Sequence, residues 1–340
     1  MEKKRKQHYV FQAYLDAWTE NGKLWCMYDK KTFQTGTMNV AQERDFYRIK
    51  PLNEDEKRFY DIFLSTLHPD VKKQLEAHRD TYLEVIEMKK NIDIINNILT
   101  LKFGNYDKIP NEIKELCFKM ENSIDIAINN IEEDYHSDIE SKGIKWIRSL
   151  CEMDNSFYFY DNKIINEGYS DEPFNFIFFV CTQYFRTKAM TKRWISSFET
   201  SLKDLQCSKY GISIEKIQLE NLVHHFFWEM KNRLSYYLRR NKAHLTILIN
   251  ETDIPFITSD QPVINLYANY EKLSEEIKEI MLYYPISPKV AILLNDKNTE
   301  ERIKLDVDKV DYYNNMIANA QYQYIFANNA DTIKRYNKFK

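Results

Sequence analysis

Glycine and proline are scarce in this chain, with six and eight in 340 residues. A doubly wound nucleotide fold needs glycines in its phosphate-binding turns, and propellers and sandwiches need turn formers throughout, so these classes are excluded. No apolar run approaches the roughly 20 residues of a membrane-spanning helix. The longest, Phe176 to Cys181, falls far short. The opening residues carry no signal-peptide pattern, so a soluble cytoplasmic protein with no membrane partner is expected. A net charge of -3 gives no global basic footprint, which leaves nucleic-acid contact to a local patch. Lys3-Lys4-Arg5-Lys6 is such a patch, although so short a run reads first as a solvated tail. The five cysteines, Cys26, Cys117, Cys151, Cys181 and Cys207, are odd in number and scattered. That spacing argues against a thiolate zinc site and fits a reducing compartment.

Several catalytic signatures are missing too. The seven histidines form no HExxH pair, and there is no glycine-rich phosphate cradle and no GxSxG nucleophile turn. His224 and His225 are adjacent on a helix, so at most one can face any given site.

Long periodic segments replace the missing turns. A short helix is expected over 8–18, then a turn at Asn21-Gly22 and a strand over 23–28. From about residue 54 the pattern is amphipathic helix, in segments 56–67, 69–101, 110–129, 138–153, 171–185, 187–205 and 213–240. Strand chemistry returns at 243–249, 256–258, 263–266, 282–285 and 290–294, followed by a helix over 307–320 and a strand over 322–327. The fold class expected is α+β: a mostly helical middle flanked by N- and C-terminal strand-bearing segments that pair into one mainly antiparallel sheet. The chain then forms a single elaborated domain, 1–340, with 1–53 and 243–340 bearing the sheet and 54–242 the helices, since neither end closes a core alone.

Polar residues stand out against this apolar pattern. Gln7 and His8 lie beside aromatics at the start of the first element. Gln183 and Arg186, one helical turn apart, end the very apolar run 174–181. A guanidinium there needs an acidic partner or a bound anion, because an unpaired buried charge costs several kcal/mol. Glu43 and Asp260 are the expected partners if the role is structural. Asp260, two residues before Pro262, is also a standard turn former whose carboxylate caps backbone N–H groups. Ser259 and Asp260 are neighbours on a strand and face opposite ways, so Asp260 does not activate Ser259. Asn314 and Asn315 sit in a helix, where asparagine is a poor former, so one of them is expected to make a specific amide bond.

These residues carry a resemblance. Gln7-His8-Tyr9-Val10-Phe11-Gln12-Ala13-Tyr14-Leu15 resembles the N-terminal signature of a widespread, mostly prokaryotic family of domains of unknown function. The likeness continues through Ala41 to Tyr47, Gln183 to Thr187, Ser259 to Val263, Pro285 to Pro288, and a closing helix with Asn314 or Asn315. The chain departs from the pattern at Phe11, where the family usually has proline. The resemblance brings no established activity, but its motifs contain Gln7, His8, Glu43, Gln183, Arg186 and Asp260.

If those residues converge, they offer an imidazole, two carboxylates, a guanidinium and carboxamides. The catalytic set is His8, Glu43, Arg186 and Asp260, with Gln7, Gln183, Ser259 and Asn314 binding. Such a set suits a nuclease-like or other phosphodiester-directed effector, in a setting such as bacterial or phage defence, acting on a nucleic acid or nucleotide. The metal is unknown, and a divalent ion at Asp260 is the cofactor such chemistry would use. The rival expectation is a non-enzymatic ligand- or partner-binding module, with the cluster a structural hydrogen-bond network and the helical region a protein-partner surface. A nucleotide-modifying transferase, with an aromatic slot for the base, is a weaker third. Burial and mutual pairing would favour the network, and an open cleft the enzyme.

Overall fold

A computed structural model describes residues 2–154, 158, 171–202, 211–270, 279–297 and 300–336. Cys207 and the end of the helix expected over 187–205 lie outside these residues. The chain divides into two compact units, one of Met1–Gln7, Arg44–Ser137 and Leu202–Trp228, the other of His8–Glu43, Asp138–Ser201 and Glu229–Lys340.

The second unit holds two of three sheets. Strands β5 (His244–Asn250), β7 (Ile264–Asn265), β8 (Met281–Pro285), β9 (Val290–Asn295) and β10 (Arg302–Leu305) form a five-stranded sheet in the order β10-β5-β9-β8-β7. Its pairs are antiparallel except β10 with β5. Every residue of β9 is buried, which is why it reads Val-Ala-Ile-Leu-Leu without polar alternation. A four-stranded sheet runs β3 (Lys31–Thr35), β2 (Leu24–Tyr28), β11 (Tyr324–Ala327), β6 (Thr258–Ser259). Strands from both ends of the sequence therefore pair, with Cys26 opposite Phe326 and Ile325 opposite Ser259. The third sheet is a two-stranded ribbon of β1 (Lys6–His8) and β4 (Gln42–Arg44).

Three sheets replace the single one expected, and Pro262 explains the main division. It has no N–H to continue a ladder, so β6 and β7 are two residues each and the chain leaves one sheet at Ser259 and enters another at Ile264. Helix α8 (Val307–Ala320) supplies Val310 and Ile317 to a core shared with Phe256, Ile264, Tyr283 and Ile325.

Of the helix expected over 8–18, residues 12–18 are helical and 8–11 are not. Tyr9 N–H donates to the Ala41 carbonyl at 3.0 Å, and helix begins only at α1 (Gln12–Leu15), followed by a 3₁₀ turn over Asp16–Trp18. Asn21 and Gly22 both take positive φ, 52° and 72°, as a tight reversal before a strand requires.

The first unit is helical. It contains α2 (Glu54–Ser65), α3 (Pro69–Phe103) and most of α4 (Asn111–Cys151). Asn53 and Glu56 form a capping box at the start of α2. Buried Glu56 also accepts from Gln218 N and Asn221 Nδ2, each at 2.9 Å. Helix α4 is one helix where two were expected. Asn129 and Asn130, which look like breakers, use their amides on the extended N-terminal chain: Asn129 Nδ2 donates to the Lys4 carbonyl at 2.8 Å and Asn130 Oδ1 accepts from Lys4 N at 2.9 Å. The remaining helices are α5 (Glu172–Phe185), α6 (Lys188–Leu202), α7 (Leu219–Arg240) and α9 (Ala330–Arg335).

Candidate functional site

The singled-out residues fall into separate sets of contacts. Gln7 is fully buried in the first unit, where Nε2 donates to the Asn129 carbonyl at 2.7 Å and Oε1 accepts from Tyr47 N at 2.6 Å. Both ends of its amide are used.

Arg186 caps α5, and its side chain is only 2% exposed. Its Nη1 donates to the carboxylate of Glu140 on α4, and its Nη2 to the His8 carbonyl. Neither Glu43 nor Asp260 is the acid in this pair, as the sequence suggested. Glu140 sits mid-helix among other charged residues, and no linear pattern marks it. His8 meets Arg186 through its backbone. Glu43 instead pairs with Lys188 Nζ at 2.7 Å, the carboxylate being 46% exposed.

Asp260 is fully buried. Its Oδ1 accepts from Tyr322 N at 2.8 Å and its Oδ2 from Gln323 N at 2.7 Å, while its own N–H donates to the Tyr324 carbonyl at 3.2 Å. This is the capping role that an aspartate in a turn plays. Burial raises its carboxyl to about 6 against the lowering effect of those N–H groups and of Arg193. Arg193, not Arg186, is therefore the cation felt at Asp260. Sequence reading missed it. Its guanidinium lies 4.7 Å from the Tyr270 ring centroid, Nη2 donates to the Ala320 carbonyl, and burial lowers its pKa. Tyr9 is the N-terminal residue that senses Asp260: burial, followed by the charge of Asp260, holds its phenol far above the usual range.

The remaining polar groups lie on or beside these stretches. Ser259 Oγ donates to the Gln261 carbonyl and accepts from Gln261 N, both at 3.1 Å. Asn314 is the asparagine with the specific bonds, accepting from Ile257 N at 2.9 Å and donating to the Pro255 carbonyl at 3.0 Å. Gln183 is 1% exposed, and its Nε2 has no hydrogen-bond partner among the described residues. Gln261 was passed over in the sequence although it does most. Its Oε1 accepts from Thr187 Oγ1 at 2.5 Å, and its Nε2 donates to the carbonyls of Tyr184 at 3.1 Å and Val263 at 2.7 Å. The Gln183–Thr187 stretch and the Ser259–Val263 stretch therefore meet through Thr187 and Gln261. The opening stretch is tied in by Tyr14, whose hydroxyl donates to the Pro285 carbonyl at 2.7 Å and lies 2.6 Å from Thr258 Oγ1.

A family model for a protein of unknown function, DUF4238, matches residues 6–331. The chain belongs to this family. All the stretches just described fall inside the DUF4238 match. No curated protein and no solved structure matches the chain. Among the described residues no group of three or more His, Cys, Asp or Glu side chains is placed to hold a metal ion. No described helix is long and apolar enough to cross a membrane.

Proposed function

We propose that this chain is a non-enzymatic binding module, in which the buried polar groups hold the fold and the helical region, residues 54–242, presents the surface for a protein partner. One observation carries the reading: the Arg186 guanidinium is already committed to the Glu140 carboxylate and the His8 carbonyl, leaving it poorly placed to meet a substrate anion. The full burial of Asp260 and its pairing with backbone N–H groups support the same view. The buried thiols of Cys26 and Cys181 suit a cytoplasmic setting.

Thermal melting of Arg186→Ala tests the proposal. Removing one partner of a buried pair should cost about 3–5 kcal/mol, and adding Glu140→Gln should restore part of it, because the orphaned charge is then gone. A single variant that melts like the wild type would overturn the structural role.

The second reading is the nuclease-like or other phosphodiester-directed effector, acting through His8, Glu43, Arg186 and Asp260 in a bacterial-defence setting. It is favoured by the Asp260 carboxyl at about 6, where an acid–base group works near neutral pH. Hydrolysis of a chromogenic phosphodiester or of single-stranded DNA, abolished in Asp260→Asn with melting unchanged, would establish it in place of the module.

A further inference from the structure

The basic run at the start of the chain reads in sequence as a solvated tail, but in the first unit it is held against α4. Asp125 and Asn129 are one helical turn apart on α4, as are Asn130 and Asp134, and both pairs reach the same short stretch, Glu2 to Lys4. The two amides read its backbone. Asn130 Oδ1 accepts from Lys4 N and Asn130 Nδ2 donates to the Glu2 carbonyl, both at 2.9 Å, so one side chain brackets Lys3 with the bonds a neighbouring strand would make. Asn129 Nδ2 donates to the Lys4 carbonyl at 2.8 Å. The two carboxylates read its side chains: Asp125 accepts from Lys3 Nζ and Asp134 from Lys4 Nζ, each at 2.6 Å. Arg5 meets Asp45 in the same way, Nη2 to Oδ2 at 2.6 Å. Main-chain bonds of this kind grip any extended peptide, and the flanking carboxylates select lysine and arginine.

Two further observations show that the occupant is replaceable. Its ion pairs are open to water, the Lys4 and Asp134 side chains being 46% and 45% exposed, and such pairs contribute little. Fully buried Gln7 fixes the chain just beyond, so it is the pivot about which residues 2–5 can lift. The fit is also incomplete. Asn129 is fully buried, yet its Oδ1 has no hydrogen-bond partner among the described residues. An N–H from a peptide in another register would satisfy that acceptor, which residues 2–5 leave unused.

We infer that this part of α4 is a recognition site for an extended, lysine- and arginine-rich segment of a partner protein, and that residues 2–5 fill it as an internal stand-in. The inference rests on the binding-module reading and names the partner's chemistry. Tethered in the chain, the stand-in competes at an effective concentration of about 1 mM, so it restrains the site until a tighter segment arrives. Fluorescence anisotropy of a labelled peptide of residues 2–6, titrated with the full chain at low salt, tests this. Lys3→Glu/Lys4→Glu, whose own segment is repelled by Asp125 and Asp134, should bind the peptide about tenfold more tightly than wild type. Adding Asp125→Asn/Asp134→Asn should abolish that gain. Should Lys3→Glu/Lys4→Glu fail to melt as a folded chain, the wild type decides: hydrogen exchange at the Lys4 amide, held by Asn130, should quicken about twofold at millimolar peptide. A folded Lys3→Glu/Lys4→Glu chain that binds no more tightly than wild type, a gain that survives Asp125→Asn/Asp134→Asn, or, for an unfolded variant, a Lys4 exchange rate unmoved by peptide would each overturn the site. None of these outcomes touches the binding-module reading, which stands or falls with the Arg186 and Glu140 melts.

Discussion

At the scale of single residues, the decisive fact is how polar atoms are satisfied inside. His225, packed among Tyr60, His78 and Tyr82, has its imidazole pushed down to about 3, by burial first and then by the nearby charges of His224 and Arg79. Above about pH 6.5 it is neutral folded or unfolded and costs nothing. Between there and pH 3 only the unfolded chain takes the proton, so stability falls as the solution is acidified. Urea midpoints measured from pH 7 to 4 should decline less steeply in His225→Phe than in wild type. Asp260 runs the other way, since its raised carboxyl gives stability that is greatest below its ordinary value and is lost as pH rises through about 6. Tyr14→Phe should cost about 1–3 kcal/mol in denaturant unfolding, because the Thr258 hydroxyl and Pro285 carbonyl are left short of a buried partner. The sequence marked Arg186, Asp260 and Asn314 as residues that must find partners, because burial of their polar groups is legible from apolar neighbours. Who the partners are was not legible. Glu140 and the N–H groups of Tyr322 and Gln323 are brought in by the path of the chain, which no local spacing encodes.

At the scale of elements, most helices and strands followed from periodicity. The failures share a cause, namely side chains that serve a distant backbone while looking like local signals. Asn129 and Asn130 seem to break α4 but hydrogen-bond the N-terminal chain instead. Tyr9 and Val10 fit a helical stripe, yet Tyr9 N–H is bonded to the Ala41 carbonyl and the two residues stay outside the helix. Gly143 shows the same dependence on a partner. A Cβ at this position would fall inside the ring of Phe179 on α5, so α4 and α5 approach as closely as they do only because residue 143 has no side chain. Gly143→Ala, normally favourable mid-helix, should here destabilise by about 1–3 kcal/mol through overpacking. Phe179→Leu should recover part of the loss in a double-mutant cycle, and strictly additive effects would sink the explanation.

At the scale of the whole molecule, sequence order and spatial order diverge. The expectation that the two ends of the sequence share a sheet is met by β2 and β11, while the number of sheets was hidden in one proline. Because β11 lies between β2 and β6, its removal would leave β6 without its strand partner and β2 paired on one side only, with β3. A chain shortened to end before Tyr322 should lose cooperative melting and be cut rapidly by protease.

That same pairing sets a schedule for biosynthesis. Strand β2 emerges from the ribosome early and must wait for β11, about 300 residues later, which at 5–20 residues per second is roughly 15–60 s. Through that interval the β2–β3 hairpin presents Leu24, Cys26 and Met27, all buried in the finished fold, along an unsatisfied edge. The nascent chain is thus open to misassembly at an early strand, and holding that strand until the last one arrives is a task for a chaperone at the exit tunnel.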